Sequence, residues 1–292
     1  MPRFIEIIEE NVKIFLGVFF IVLMLLFCVK IYRGEKMKKI ISLLILIFVL
    51  FSFSFSGNAT ENTLNWYVVR NKDNKQPLLD SNMQFIEKYG GYYVNKKYPD
   101  SARDKVIYLT FDVGYENGNV ERILNVLSDE GVSSAFFVLE NFIVKNPNLI
   151  LRMVNEGHLV CNHTASHKSI TKFSSREELK AELERLENLY FDLTGLKMQR
   201  FFRPPEGKFD QRTLAYLNEL GYKTVFWSFA YADWDNNNQP SSNFAKEKIY
   251  SNLHNGEIML LHPTSKTNAD ILKEVIAELK SRGYRFGTLD EL

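Results

Sequence analysis

The sequence predicts an α/β fold, a distorted or incomplete (β/α) barrel of about seven parallel strands. Two observations support this prediction. After residue 105, short runs of β-branched and aromatic residues alternate with longer amphipathic segments, and glycines follow most of those amphipathic segments. Strict alternation of strand and helix implies parallel strands, because each helix returns the chain to the same end of the sheet. The part after residue 59, about 230 residues, is long enough for one sizeable domain.

The first 59 residues lie outside this pattern. They contain two apolar segments, 14–29 and 40–55, each close to the length that spans a membrane. Residues 37–59 begin with Met and two lysines, continue as an apolar run and end in small residues, so they are predicted to be a signal peptide or membrane anchor. Residues 1–36 are either an upstream hydrophobic segment or an artefact of the start codon. Both alternatives export the rest of the chain and differ only in how it is anchored.

The charge and cysteine content of the exported part exclude two classes of protein. Residues 1–59 hold seven of the 36 Lys and Arg residues and four of the 35 Asp and Glu residues, so the remainder is nearly neutral. Proteins that bind nucleic acid need a basic face, and none is expected here. Cys161 has no cysteine partner in the exported part, which excludes an intrachain disulfide there, and its apolar surroundings indicate a buried strand residue.

The exported part divides into an N-terminal extension, 60–104, and a domain, 105–292. The extension is polar and aromatic without a long periodic pattern, so it is expected to wrap the domain as loops. The first strand is predicted from six consecutive β-branched, aromatic or apolar residues that precede a turn containing Gly114. The same criteria give seven strands: 106–111, 134–139, 158–161, 200–202, 224–229, 258–261 and 284–288.

Six helices are predicted between the strands from apolar residues at helical spacing. They are 120–130, 147–156, 176–193, 211–220, 245–253 and 269–282. Ser175 and Glu178 form a capping-box pattern at the start of the third helix. Glycines stand where C-terminal caps are expected, at positions 131, 157, 195, 221 and 283. No internal repeat is evident.

Reactive side chains follow five of the predicted strands. They are Asp112, the pair His163 and His167, Arg203, Asp233 with Trp234, and His262. Because the carboxyl ends of parallel strands meet at one edge of a barrel, these side chains are expected to converge there on an active site. Each also has a structural alternative; Asp112, for example, could simply cap the turn toward Gly114.

Two groups in this set indicate a metal site and a positioned base. His163 and His167 are four residues apart, so on a helical turn both imidazoles could bind one divalent ion. The alternative is a polar loop with capping histidines, since a catalytic zinc normally takes three protein ligands. Arg203 precedes two prolines that fix the backbone, and it could hold Asp112 ionised and lower its pKa. The alternative for Arg203 is an ordinary surface turn.

His262 ends a strand that is nearly devoid of polar groups, which indicates a general acid at its tip. Asp233 is a plausible partner that would raise the pKa of His262 and keep the imidazole protonated near neutrality. The alternative is a buried histidine with a structural hydrogen bond. Trp234 and nearby aromatic residues could wall a sugar-binding groove, although most of the aromatics are expected in the core.

These residues together resemble the polysaccharide deacetylases, the NodB-homology proteins of carbohydrate esterase family four. The resemblance covers about residues 105–292 and is carried by five motifs in order: 110–114, 162–167, 203–207, 233–234 and 260–262. The full residue sequences of segments 111–118 and 233–239 are most similar to those of the delta-lactam-biosynthetic de-N-acetylases of spore-forming bacteria. Those proteins act on N-acetylmuramic acid in spore-cortex peptidoglycan, and an exported domain agrees with that substrate.

The resemblance implies hydrolysis of the N-acetyl group of a glycan, with peptidoglycan strands as the partner. Asp112 would activate water, Arg203 would position Asp112, and His262, tuned by Asp233, would protonate the departing amine. A divalent metal, with zinc expected, would be held by His163 and His167. Substrate contacts would come from Tyr115, Pro205 and Trp234. The alternatives are a deacetylase of N-acetylglucosamine in peptidoglycan or chitin-like oligomers, and an inactive glycan-binding module of the cell wall.

Val113 departs from the family pattern, because most members carry a second Asp there as the third metal ligand. A valine side chain has no donor atom. Three outcomes follow: a weak two-histidine site completed by water or by Asp112, a metal-independent enzyme, or an inactive glycan binder. The retained residues at positions 112, 203, 233 and 262 favour an active enzyme, since a binding module needs no acid and base.

Overall fold

The computed structural model describes residues 63–71 and 73–292 of the chain. The predicted signal peptide or anchor and the segment before it lie outside these described residues. Within the described part of the chain, no helix is long and apolar enough to cross a membrane. The described residues belong to one of two units into which the chain divides, Glu61–Leu292.

All seven predicted strands are present in the described residues, with boundaries that differ by a few positions. In chain order the strands are β1 (Leu64–Asn65), β2 (Gly91–Tyr92), β3 (Lys105–Val113), β4 (Ala135–Val138), β5 (Leu159–Asn162), β6 (Gln199–Phe202), β7 (Lys208–Phe209), β8 (Lys223–Val225), β9 (Glu257–Leu261) and β10 (Tyr284–Phe286). The short strands β1, β2 and β7 were not predicted.

The six predicted helices are also present. In chain order the helices are α1 (Phe85–Lys88), α2 (Asn119–Glu130), α3 (Glu140–Lys145), α4 (Pro147–Asn155), α5 (Arg176–Thr194), α6 (Gln211–Glu219), α7 (Ser242–Asn252) and α8 (Lys266–Ser281). Helices α1 and α3 are additional. The side chain of Ser175 accepts the backbone N–H of Glu178 at the start of α5, as the capping-box pattern predicts. Glu178 itself accepts from the N–H of Ser174, so the reciprocal bond is displaced by one residue.

The strands form a curled parallel sheet, in agreement with the predicted incomplete barrel. Its order is β10-β3-β4-β5-β6-β8-β2, with β9 also pairing β3. Every pairing within this sheet is parallel. A parallel bridge between Phe229 and Met259 ties the chain after β8 to β9. The sheet therefore curls back on itself, and the carboxyl ends of its strands gather at one mouth.

Strand β3 separates two of the three hydrophobic clusters of the described residues. Ile107, Leu109, Phe111 and Val113 belong to the large cluster shared with the surrounding helices. Val106 and Tyr108 belong instead to a cluster supplied mainly by strands β3 to β9, which fills the concave side of the sheet. Because side chains alternate along a strand, Asp112 follows the concave set and Val113 follows the helix-packed set.

The N-terminal extension contributes strands to two sheets and is not a set of loops alone. Strand β1 pairs antiparallel with β7, and β2 adds a parallel edge to β8. Trp66 stacks on Phe226 with ring centroids 4.3 Å apart and donates its indole N–H to the carbonyl of Trp227 at 2.9 Å. The extension therefore covers the β8 side of the mouth.

Candidate active site

A cleft of about 610 Å³ opens at the carboxyl ends of the strands. Most of the predicted site residues line it: Asp112, Tyr115, His163, His167, Trp234 and His262. Arg203 and Asp233 are fully buried, and each bonds to one of the lining residues. The expected convergence of five strand ends is therefore present in the structure.

Asp112 is a carboxylate held from one side by a guanidinium. Its Oδ1 accepts a hydrogen bond from Arg203 Nη1 at 2.8 Å, and its side chain is 11% exposed toward the cleft. Burial raises the pKa of Asp112, but the charges of Arg203, His163 and His262 and the hydrogen bond from Arg203 together outweigh burial, so the pKa is lowered overall. Asp112 is therefore ionised near neutral pH and can accept a proton.

Arg203 is built into the core beneath Asp112. Its Nε donates to the carbonyl of Val225 at 2.9 Å, and its Nη2 donates to Thr110 Oγ1 at 2.9 Å. The guanidinium carbon lies 4.2 Å from the centroid of the Phe137 ring. The alternative of an ordinary surface turn is wrong for Arg203, because its side chain is 0% exposed. Such complete coordination fixes the guanidinium and, through it, the carboxylate that it holds.

His163 presents one free ring nitrogen to the cleft. Its Nδ1 donates to the carbonyl of Arg203 at 2.8 Å, which assigns the N–H to Nδ1 because a carbonyl can only accept. Burial lowers the pKa of His163 to about 4, so the ring is neutral at pH 7. Its Nε2 lone pair lies 3.6 Å from Asp112 Oδ2. A neutral imidazole with its other nitrogen bonded in this way is the form that binds metals.

His167 meets His163, although the helical turn expected between them is absent. Thr164 and His167 adopt left-handed backbone conformations, with φ of 69° and 60°, and Thr164 Oγ1 accepts the backbone N–H of His167 at 2.9 Å. The two ring centroids lie 5.1 Å apart. A tight loop rather than a helix therefore brings the imidazoles together.

The donor set matches a divalent metal only in part. Two imidazoles face one cleft, but the side chain of Val113 offers hydrocarbon, is 1% exposed and packs in the helix-side core. Within residues 63–71 and 73–292, no group of three or more His, Cys, Asp or Glu side chains is arranged to hold a metal ion. The set is thus one ligand short of the three that a catalytic zinc normally takes.

His262 favours its protonated form, whereas Asp112 favours its ionised form. Its Nδ1 donates to Asp233 Oδ1 at 2.7 Å, and its backbone N–H donates to Asp233 Oδ2 at 2.8 Å. Burial lowers the pKa of His262, but the charge and hydrogen bond of Asp233, together with the charge of Asp112, outweigh burial, so the pKa is raised overall. The cleft therefore holds a carboxylate that is deprotonated and an imidazole that favours protonation, which are the states required of a base and an acid.

Two residues that support this couple were not predicted. Asn268 in the first turn of α8 donates from Nδ2 to Asp233 Oδ2 at 2.6 Å and to the carbonyl of His262 at 3.1 Å. Tyr231 donates its hydroxyl to Asn268 Oδ1, which fixes the orientation of the amide. Asn268 lies within a helix, and Tyr231, two residues after the predicted strand 224–229, is not an acid or base, so reactive residues at strand ends could not reveal them. The signal that could have done so is an Asn near the start of a helix that follows His262.

The three predicted substrate contacts differ in position. Trp234 is 60% exposed, and its ring centroid lies 6.0 Å from that of His262. Tyr115 is also exposed, and its hydroxyl accepts a hydrogen bond from Asn236. Pro205 is buried, and its turn presents Glu206 and Gly207 to the cleft instead. Trp234 and Tyr115 therefore provide exposed aromatic faces, the surfaces on which sugar rings pack.

Comparison with known proteins identifies relatives of the same kind. A family profile described as polysaccharide deacetylase matches residues 100–225. The peptidoglycan-N-acetylmuramic acid deacetylase PdaA of Bacillus subtilis is 36% identical over 230 residues, 78% of this chain and 85% of the relative. Its structure, a family 4 carbohydrate esterase, covers 79% of this chain and 97% of its own with a TM-score of 0.73.

Two further relatives differ in stated function. A peptidoglycan-N-acetylglucosamine deacetylase of Bacillus cereus is 32% identical over 206 residues, 68% of this chain and 92% of the relative. A family 4 carbohydrate esterase pseudoenzyme from Bacillus anthracis is 25% identical, covers 69% of this chain and 68% of its own, and has a TM-score of 0.61. The same architecture therefore occurs with either sugar named as the substrate and in a protein described as a pseudoenzyme.

Proposed function

The chain belongs to the polysaccharide deacetylase family of hydrolases, and from this premise we propose that it removes acetyl groups from N-acetylmuramic acid in peptidoglycan. The observation that carries the proposal is that two hydrogen-bonded pairs meet at one cleft, Asp112 with Arg203 and His262 with Asp233. A binding module would gain nothing from a base and an acid whose pKa values are shifted in opposite directions.

The reaction uses the two pairs in sequence. Asp112 takes a proton from water, and the water oxygen attacks the carbonyl carbon of the acetamido group. Arg203 keeps the carboxylate in place and ionised until that transfer. When the tetrahedral intermediate collapses, the carbon–nitrogen bond breaks and His262 gives its proton to the amine. Acetate and the free amino sugar are the products.

His163 and His167 are the residues that would hold a divalent ion, with zinc expected. Such an ion supplies Lewis acidity that polarises a carbonyl. The free Nε2 of His163 suits this role, and the aliphatic side chain of Val113 argues for weaker binding than in a three-ligand site. Water or Asp112 would have to complete the ligand set.

We further propose that the product serves spore-cortex peptidoglycan, in which deacetylated muramic acid closes to a delta-lactam. An extracytoplasmic location, in the cell wall or the spore envelope, follows from this substrate. The support comes from the similarity to PdaA and from the N-terminal sequence, which predicts export through a signal peptide or a membrane anchor. Membrane association rests on that N-terminal pattern alone.

Two other functions have specific support. Deacetylation of N-acetylglucosamine is favoured by the relative from Bacillus cereus. An inactive glycan binder is favoured by Val113 and by the similarity to a pseudoenzyme.

The test is acetate release from cortex-type peptidoglycan by the full chain, with and without added divalent ions. The proposal predicts release that Asp112→Asn abolishes. Absence of release with every common divalent ion, combined with glycan binding that Asp112→Asn leaves unchanged, would establish the binding module instead.

A further inference from the structure

Among the described residues, the charged groups at the cleft are already paired: Asp112 with Arg203, Glu206 with Lys208, and His262 with Asp233. The described lining includes the carboxylates of Asp112 and Glu206 and the imidazole of His262, and it includes no Lys or Arg. Glu206 already forms an ion pair with Lys208, and the cation beneath Asp112 is fully buried and bonded. These cations are therefore not available to a carboxylate on the substrate, which would need a further cation at the rim of the cleft.

Arg70 of the N-terminal extension supplies a cation at this rim. It is exposed, and its Nη2 donates to the carbonyl of Ala230, a residue of the cleft wall, at 3.0 Å. Four residues earlier, the indole of Trp66 is bonded to Trp227, which also lines the cleft. The extension thus runs along one wall of the cleft and holds the guanidinium against it.

The guanidinium of Arg70 retains unused donors. Across residues 63–71 and 73–292, its bond to Ala230 is its single hydrogen bond, and it forms no ion pair with an Asp or Glu. Its Cζ lies 6.0 Å from the centroid of the Phe229 ring, a contact that orients the group without using its N–H donors. A guanidinium has five N–H donors in a planar fork that matches a carboxylate.

On the basis of the proposed function, we propose that Arg70 binds the free carboxylate of the 3-O-lactyl group of muramic acid. This group distinguishes muramic acid from glucosamine, and it is attached to the carbon next to the one that bears the acetamido group. A guanidinium at the rim would recognise that charge while the acetamido group lies near Asp112. Arg70 is then a specificity-determining residue for muramic acid over glucosamine.

The test compares one glycan in two forms, stem-free alternating glycan with free lactyl carboxylates and the same glycan with these carboxylates methyl-esterified. The full chain, Arg70→Met, Arg70→Lys and the control Arg103→Met are assayed for kcat/KM and for equilibrium binding of both forms. Arg103 is an exposed residue that precedes the N-terminal end of β3, away from the mouth. Circular dichroism confirms that each variant is folded.

We expect Arg70→Met to lower kcat/KM and affinity about tenfold on the acid form and to leave the ester form unchanged, a loss that shrinks at high salt. Arg70→Lys should restore part of the loss, and Arg103→Met should match the native chain. Equal losses on both forms, or no loss, would overturn the role of Arg70. If the native chain binds but releases no acetate from any glycan, the proposed function fails, and the binding data alone decide the role of Arg70.

Discussion

Replacing Asp233 by Asn should remove the charge that keeps His262 protonated near neutral pH. Asp233 is fully buried, and its two oxygens accept three hydrogen bonds: from Nδ1 and the backbone N–H of His262, and from Asn268. In the variant one of these oxygens becomes an amide nitrogen that cannot accept. At least one buried donor is then unpaired, which costs about 1–3 kcal/mol of stability.

The same change acts on the rate through the pKa of His262. Burial alone lowers that pKa, and Asp233 is the main opposing influence. Without the carboxylate the imidazole loses its proton at lower pH, so the alkaline limb of the kcat/KM profile should move toward acid. Because general acid catalysis is worth about 10²–10⁴ in rate, we expect kcat to fall about 100-fold at pH 7 and less in more acidic buffer.

The folding stability should also depend on pH through His262. The raised pKa of His262 adds stability that is fully present below the pKa of the unfolded chain and is lost as the pH rises through the folded value. The deficit of Asp233→Asn should therefore be larger in acid than in alkali. The assay is a pH series of acetate release with parallel thermal unfolding, and the exposed Asp129→Asn serves as the control. An alkaline limb that stays in place would refute the assignment of His262 as the acid.

Three further predictions follow from the described contacts. Arg203→Met leaves Asp112 as an uncompensated, largely buried charge and should lower the free energy of unfolding by about 3–5 kcal/mol in chemical denaturation. Adding Asp112→Asn should recover much of this loss. Equal losses in the single and double variants would contradict the pairing of Arg203 with Asp112. Val113→Asp places a carboxylate in a buried position, so the melting temperature of the variant should fall without metal and rise steeply with added zinc. Elemental analysis should show a matching rise in bound zinc. A variant that does not respond to zinc would exclude a metal site there. Burial raises the pKa of Glu257, and its Oε1 has no hydrogen-bond partner among the described residues. The stability of the native chain should therefore decline as the pH rises above the pKa of about 4.3 that the unfolded chain has. Glu257→Gln should remove that decline in pH-dependent denaturation, and parallel curves for the two proteins would show that Glu257 is ionised.

The sequence was most informative where a signal is local. The runs that became β3, β4 and β9 are apolar because both faces of these strands are covered, and the residue after each such run faces the mouth by topology alone. Asp112 and His262 could therefore be placed near one another from the chain order. The ion pairs of Asp112 with Arg203 and of His262 with Asp233 could then be predicted, because groups of opposite charge at the mouth attract each other.

Features that depend on distant parts of the chain were not predictable in the same way. Strand β2 has two residues, and only its pairing with β8, more than a hundred residues later, makes it a strand. The left-handed turns at Thr164 and His167 replaced the expected helical turn, because the side chain of Thr164 competes for the backbone N–H. The support of Asp233 by Asn268 likewise depends on where α8 packs.

The most direct test of the central claim is the chemical identity of the sugar that gains a free amine. Stem-free cortex glycan is incubated with the full chain, digested with a muramidase, and analysed by mass spectrometry for free amino groups on each sugar, with Asp112→Asn as the blank. The structure and the proposed reaction predict free amines on muramic acid with the native chain and none with the variant. Free amines confined to glucosamine, or equal yields from both proteins, would contradict the account.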